Sequence, residues 1–463
     1  MINFKEEIDK RRESILEDLK LIIQTKTVYD EFTISPETPF GRYVAKGFKR
    51  LHQLADRDGF IFKDDAGYAC HIEYGNGEDL YAALAHIDTV PFDENHWTYH
   101  PTSAMVIDNE MWGRGTQDDK GPLIACYHAL KIIKELRLPI KNKFRLIVGG
   151  DEERFSNCIK HYTETHPQPK LAFTPDGNFP VTSAEKYIRV FNLTGKIENN
   201  DIIIMMKAGF ATNIVPDICE VIVKDINYKM EKYFVEFLTK NNLRGKVEKL
   251  QDGVLHLFLK GKSSHACEPE KGVNAIGRMC EFLADFTENE VVQFINFYFN
   301  DDIHGHNLGV HYFDSFEGNT TLTLSQLNYE NSKFQMAIDT RTPNKEIKEK
   351  LPKTLERKLA ENFTNSVQVS LIKEGKGLFF DPKSEEVNFF LNIYKNITKD
   401  YDAKPLATGG GTYAKNVDNC MCFGAIFEGD PDRAHQIDEK INLDSYFLAI
   451  EIYCHTIYKM LNN

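Results

Sequence analysis

No run of apolar residues in this 463-residue chain approaches the roughly 20 that a membrane-spanning helix requires. A helical membrane protein is thereby excluded, and no membrane partner is expected. The first stretch, Met1 to Lys20, is charged throughout and lacks the apolar core of a signal peptide. It shows helical spacing instead, at Ile8, Ile15, Leu16 and Leu19, continuing to Ile22 and Ile23. CxxC pairs are missing too: the nine cysteines are scattered, and an odd number of free thiols fits a reducing compartment. Cys420 and Cys422 alternate along an apparent strand and read as small buried hydrophobes rather than ligands. Basic charge is in short supply, 56 Lys and Arg against 69 Asp and Glu for a net charge of −13. No basic stretch carries interleaved aromatics, which argues against a nucleic-acid partner. The acidic excess speaks to solubility and says little of a substrate. Internal repeats and low-complexity tracts are absent. A soluble, cytoplasmic protein is the expectation.

What is present is an ordinary globular composition, 42% hydrophobic and 27% charged, with ample material for a core. The length exceeds the roughly 250–300 residues at which single cores usually divide, so two domains are expected. Up to about Lys186 strands and helices alternate. Leu80-Tyr81-Ala82-Ala83-Leu84-Ala85 reads as a buried strand running into His86. Pro122 to Leu136 has one apolar face at Leu123, Ile124, Tyr127, Leu130 and Ile133. Phe144 to Val148 and Leu171 to Thr174 are further strands, and the alternation predicts an α/β sheet with parallel strands. From Tyr187 to Lys376 the texture changes to half-buried strands, such as Ile188–Leu193 and Val254–Leu259, with amphipathic helices and charged loops. After Gly377 the α/β texture resumes: Met421 to Phe427 is a predicted strand, and a last helix runs from about Asn442 to Leu461.

Five separated segments place an imidazole or carboxylate just past such strand-like runs: His86-Ile87-Asp88, Asp118-Asp119-Lys120-Gly121, Asp151-Glu152-Glu153, Pro175-Asp176-Gly177 and Asp432-Arg433-Ala434-His435. Each has a bland reading. A lone His-x-Asp at a strand end is often structural, and paired glutamates are often a solvated face. Asp118-Asp119 would suit a helix N-terminus, and Asp176 after Pro175 would suit a turn. Together they make up the ligand set of a two-metal hydrolase, in which two ions roughly 3.5–4 Å apart activate water and clamp the reacting oxygens. Such a centre needs a bridging carboxylate, terminal N and O ligands, and a separate carboxylate as base. The middle of the chain supplies none of the five segments and both flanks supply all of them. One metal-bearing domain, residues 1–186 with 377–463, is therefore expected to be interrupted by an inserted domain, 187–376. Open α/β sheets build their sites at the carboxyl ends of strands.

Gly113-Arg114-Gly115-Thr116-Gln117-Asp118-Asp119-Lys120-Gly121-Pro122 resembles the bridging-aspartate signature of the aminoacylase/carnosinase (dinuclear zinc) metallopeptidase family, and most of all its PepV-type dipeptidases. His86-Ile87-Asp88-Thr89-Val90-Pro91 is similar to the family's His-x-Asp-x-Val-Pro segment, and Asp151-Glu152-Glu153 to its paired acids. The resemblance spans essentially the whole chain, with the motifs in family order. It implies an α/β fold, a mixed-sheet catalytic domain interrupted by an α+β lid. It implies that Asp118 bridges two divalent metal ions, that His86 and Asp176 complete one site, and that Glu153 and His435 complete the other. Glu152 is then the general base that deprotonates the bridging water. Asp88 orients His86, as outer partners of metal ligands commonly do, and Asp119 is structural or supports the ligands. Zinc is the expected metal, although manganese or cobalt also suits the mixed set.

In the insertion, Gly261-Lys262-Ser263-Ser264-His265-Ala266-Cys267-Glu268-Pro269 resembles the lid motif whose histidine reaches the substrate carbonyl, making His265 a donor to developing negative charge. Read alone, a histidine between Ser264 and Ala266 is more often a surface-loop residue; the flanking pattern reverses that reading. Asn213, in Thr212-Asn213-Ile214-Val215-Pro216, matches a substrate-contacting asparagine, and Arg341 matches the arginine that grips the free carboxylate of a dipeptide. An exposed arginine at a strand end is the plainer reading of Arg341. Gly409-Gly410-Gly411-Thr412-Tyr413-Ala414 is similar to the family's substrate loop, which marks Gly410, Gly411 and Thr412. A phosphate cradle is disfavoured because no Lys-Ser/Thr follows. At roughly 190 residues the insertion matches the doubled lid that imitates a partner subunit, which implies a monomer. Arg154, Gly150 and Lys415 depart from the family pattern and touch substrate preference rather than the metal set. The resemblance thus implies a metal-dependent dipeptidase acting on small unblocked peptides. An N-acyl amino acid deacylase of the same family, a non-catalytic metal-binding homologue and a two-metal phosphoesterase are the alternatives.

Overall fold

Leu80–His86 is buried at every one of its positions, which an apolar run of small and branched side chains allows only for a strand covered on both faces. It lies at the centre of a mixed sheet, parallel to Lys143–Gly149 on one side and to Leu171–Thr174 on the other. Outward from Lys143–Gly149 come Ala69–Tyr74 and then Ile61–Asp65, each antiparallel to its neighbour. Outward from Leu171–Thr174 comes Cys420–Cys422, parallel to it, and then Thr182–Glu185. The structure, a computed structural model, describes residues 2–198, 202–225 and 229–463. They form two compact units, one of Met1–Ala184, Phe379–Leu406 and Thr412–Asn463, the other of Glu185–Leu378 and Ala407–Gly411.

In the first unit the α/β expectation is met by a mixed sheet with helices packed upon it. The helix Lys120–Glu135 is buried along most of its length, as its apolar positions predict. The last helix, Leu443–Met460, starts on an Asn442 cap that accepts N–H from Asp444 and Ser445, satisfying donors left open at a helix start. The strand expected over Met421–Phe427 is shorter, ending at Cys422. Beyond it the chain binds a neighbouring loop, with Gly424 N–H to Asn178 O and Ile426 N–H to Gly177 O. Gly424 adopts a φ of +85°, open to glycine, and breaks the extended run.

The second unit is built on an eight-stranded sheet, antiparallel throughout. Its order is Arg244–Gln251, Val254–Lys260, Ile218–Lys224, Ile203–Ala208, Thr321–Glu330, Lys333–Thr342, Tyr187–Lys196 and Gln368–Gly375. Alternating burial in Ile218–Lys224 marks a sheet with one face in the core. That core gathers Val221, Leu257, Met336 and Ile338 from strands with Phe234, Met279, Ile295 and Leu355 from helices. No helix among the described residues is long and apolar enough to cross a membrane. None of the nine cysteines, all among the described residues, is in a disulfide, and Cys420 and Cys422 are buried.

Candidate metal centre

The first unit brings the separated acids and imidazoles together. His86 is the last residue of its buried strand and is 1% exposed. Asp176 follows Leu171–Thr174, Glu152 and Glu153 follow Lys143–Gly149, and Asp118 precedes the helix Lys120–Glu135. Two clusters result: His86, Asp118 and Asp176 offer ligand atoms all within 4.8 Å of one another, and so do Asp118, Glu153 and His435. Asp118 belongs to both. Its Oδ1 lies 2.9 Å from His86 Nε2, its Oδ2 2.9 Å from His435 Nε2, and Glu153 Oε2 is again 2.9 Å from His435 Nε2. His86 Nε2 is fully buried yet makes no hydrogen bond; it faces carboxylate oxygens as a lone pair does when a cation lies between. This mixed imidazole and carboxylate set fits two divalent ions sharing one carboxylate.

The backbone around the centre is held by its acids. Asp88 accepts the backbone N–H groups of Glu152 at 3.2 Å and Glu153 at 3.1 Å, one on each oxygen. The expected role of Asp88 in orienting His86 falls to its main-chain carbonyl, 3.0 Å from His86 Nδ1, with the Asp88 carboxylate farther off at 3.4 Å. Nδ1 so occupied leaves Nε2 for the cluster. Asp119 accepts the His86 N–H at 3.0 Å, supporting the histidine from behind. Lys120, 1% exposed, donates Nζ to Thr25 O at 2.8 Å, and its burial pushes its pKa down to about 7. Gly115 turns the loop at φ +90°, where a Cβ would lie 2.8 Å from Lys120 Cδ; only glycine fits.

The electrostatics follow from crowding acids in a buried place. Burial, reinforced by the charges of Glu153, Asp118 and Asp88 against a lesser lowering by His86, pushes Glu152 up to about 8. Burial and Asp118 likewise raise Asp176 and Glu153. Burial would lower His435, but Asp118 and Glu153 outweigh it and take it to about 11. So many like charges at close range call for positive charge among them.

A model of Peptidase family M20/M25/M40 matches residues 82–459, most of the chain. This chain belongs to peptidase family M20/M25/M40. Of its relatives, a Bacillus subtilis (strain 168) protein described as "Putative dipeptidase YtjP" is 32% identical over 477 residues, covering 99% of this chain and 100% of its own. Among solved structures, human carnosine dipeptidase 1 is similar at a TM-score of 0.57 and 14% identity, over 99% of this chain and 98% of that one. The dipeptidase Dug1p of Saccharomyces cerevisiae is similar at 0.59 and 16%, over 99% and 98%. At such identities the structural likeness speaks for the fold. Family membership makes the chain a peptidase, a hydrolase whose clustered donors suit a dinuclear metal centre.

The second unit of this M20 peptidase brings together other residues singled out from sequence. His265 pairs backbone to backbone with Ile214, and Ala266 N–H donates to Asn213 O at 2.8 Å, so Asn213 and the exposed His265 are neighbours. His265 Nδ1 accepts the Cys267 N–H at 3.2 Å and lies 2.8 Å from its Sγ. Arg341 is buried rather than at an exposed strand end. Its Nε and Nη2 bond Asp339 at 2.8 and 2.9 Å, and Nη1 bonds Gly409 O at 2.7 Å. Gly410 N–H donates to Thr408 Oγ1 at 3.0 Å, and Gly411 is exposed. In the first unit, Thr412 caps the turn Tyr413–Asn416 through Ala414 N–H at 3.2 Å.

Sequence reasoning passed over Glu439 and the roles of Arg114 and Gln117. Glu439 is completely buried and bonds Arg114 and the backbone beside Asp118. Arg114 and Gln117 lie within the Gly113–Pro122 motif, whereas Glu439, an acid in a polar loop, carries no signal in the sequence.

Proposed function

We propose that this M20 peptidase is a dipeptidase that cleaves the peptide bond of small unblocked peptides at a centre of two divalent ions, zinc or else manganese or cobalt. The observation that carries this reading is the pair of ligand clusters sharing Asp118, with Glu152 beside them and in neither. His86, Asp118 and Asp176 would hold one ion, and Asp118, Glu153 and His435 the other. When bound, such a pair polarises the scissile carbonyl and acidifies water.

Glu152 takes the proton from the attacking water and delivers it to the leaving amine. A carboxyl raised toward neutrality by burial and by neighbouring acids suits both transfers, since the best proton shuttle titrates near working pH. Asp88 keeps Glu152 and Glu153 in place through their backbone N–H groups. His265 would donate to the oxyanion; with Nδ1 accepting from Cys267 N–H, the neutral ring carries its proton on Nε2. Arg341 would receive the substrate's terminal carboxylate. Three of its N–H groups are engaged by Asp339 and Gly409, which stiffens the guanidinium, and a guanidinium carries two more donors. Asn213, Gly410, Gly411 and Thr412 would complete the substrate contacts.

The eight-stranded sheet of the second unit is large enough for a doubled lid and thereby supports a monomer. Nine cysteines outside any disulfide accord with a cytoplasmic location. A panel of dipeptides, tripeptides and N-acetyl amino acids, assayed by release of free amino acid, tests the substrate class. Dipeptides with a free amino end should be turned over well ahead of the rest. Turnover confined to N-acetyl amino acids would make the chain a deacylase.

A further inference from the structure

The two histidines of the centre are secured by different means. His86 closes a buried strand flanked by parallel neighbours on both sides. His435 lies in a loop, at φ +63°, with its side chain 49% exposed. Nothing in regular structure sets its distance from Asp118, although the two must act on one ion.

A clasp between two segments does so instead. The carboxamide of Gln117, the residue before Asp118, is held on both its edges by the backbone ahead of His435. Its Oε1 accepts Arg433 N–H at 2.7 Å, and its Nε2 donates to Pro431 O at 3.0 Å. Because those two partners are a fixed donor and a fixed acceptor, the orientation of the amide follows. Behind it, Glu439 Oε1 accepts the N–H groups of Gly115 at 3.0 Å, Gln117 at 2.8 Å and Asp118 at 3.2 Å. Glu439 Oε2 accepts Arg114 Nη1 at 2.6 Å, and Arg114 Nη2 donates to Gln436 O at 3.2 Å. Gln117 is 8% exposed and Glu439 0%, so water competes little for these bonds.

We propose that Gln117 is a positioning residue for one of the two metal sites, the one formed by Asp118, Glu153 and His435, and tunes that site separately from the one formed by His86, Asp118 and Asp176. It touches neither metal nor substrate; it acts by holding the His435 loop against the Asp118 loop. A side chain that donates and accepts at once is required, which glutamine meets and glutamate or alanine does not. The proposal rests on the two-metal reading above.

Metal-free protein titrated with Co2+, followed by calorimetry and by the visible spectrum of the bound ion, separates the two ideas. Wild-type protein should take up two ions per chain; fewer than two would remove the metal reading and this proposal with it. Gln117→Ala should bind one ion within about threefold of the wild-type affinity and the other ~10–100-fold more weakly, the usual cost of losing a support behind a ligand. Gln117→Glu, which keeps the acceptor for Arg433 N–H, should fall between. In a His435→Ala background the remaining ion's affinity should not respond to Gln117→Ala. Two sites weakened alike, two sites unchanged, or a further loss in that background would each overturn the proposal. Circular dichroism and thermal unfolding of the metal-free variants establish that the comparison is between folded proteins.

Discussion

Glu152 is the side chain on which turnover should depend most steeply. Its carboxyl is pushed up to about 8 by burial and by neighbouring acids, and its backbone N–H is pinned by Asp88 at 3.2 Å. Glu152→Gln keeps the shape and removes the proposed proton shuttle. It should lower kcat by about 10²–10⁴-fold while metal content stays at the wild-type level. Turnover kept at the wild-type rate in that variant would take the base assignment away from Glu152. His86, Asp118, Glu152, Glu153, Asp176 and His435 were all legible in the sequence, because each stands in a short motif whose chemistry is local. The hold of Asp88 on the backbone of Glu152 and Glu153 was not. The Asp88 carboxylate accepts from residues more than sixty positions away, besides lying 3.4 Å from the histidine that its carbonyl approaches at 3.0 Å.

Three helices of the first unit are locked by a charge network that makes them sensitive to acid. Asp18, on Arg12–Ile23, receives both Nη groups of Arg57 at 2.7 Å and lies 3.0 Å from His128 Nε2. Asp58, at the end of Arg42–Arg57, receives Arg57 Nη2 at 2.6 Å, Tyr127 Oη at 2.6 Å and Lys131 at 3.0 Å. Burial would raise Asp58, but its bonds to Arg57, Tyr127 and Lys131 prevail and hold it down at about 2; the same balance lowers Asp18. A carboxylate with a depressed folded pKa contributes its full stabilisation above the ordinary value near 3.8 and loses it as pH falls through about 2. Thermal unfolding between pH 5 and 2 should therefore show a drop in Tm that is smaller in Asp18→Asn and Asp58→Asn. At pH 7 each variant should be less stable than wild type by about 1.5–3 kcal/mol. An unchanged acid slope would show that other groups control it. The helices themselves were predictable from apolar spacing, as Lys120–Glu135 shows. The end of the strand at Cys422 was not, since the apolar run continues through Phe427 while its backbone bonds go to a loop.

For the whole protein, the crowd of acids at the centre links metal binding to stability. Glu152, Glu153 and Asp176 are all raised by burial and by the charge of Asp118, so divalent ions relieve repulsion in the folded chain and find no such site in the unfolded one. Chelation should abolish peptide hydrolysis and lower Tm, with both restored by added Zn2+, Mn2+ or Co2+. Each site filled at 100 times its Kd contributes about 2.7 kcal/mol. A Tm indifferent to chelator and to added ions would contradict a resident metal centre.

The amino-acid sequence by itself determined the chemistry available: acids and imidazoles just past strand ends, a change of α/β texture in the middle of the chain, and apolar runs too short for a membrane-spanning helix. These are properties of neighbours along the chain, and short windows hold them. The tertiary structure alone decided which donors share Asp118, that Arg341 is braced by Asp339 and Gly409, and that Gln117, Arg114 and Glu439 join two loops more than 300 positions apart in sequence. Such contacts have no signature in a window of residues, because a hydrogen bond depends on distance and angle in space, and only the folded chain supplies both.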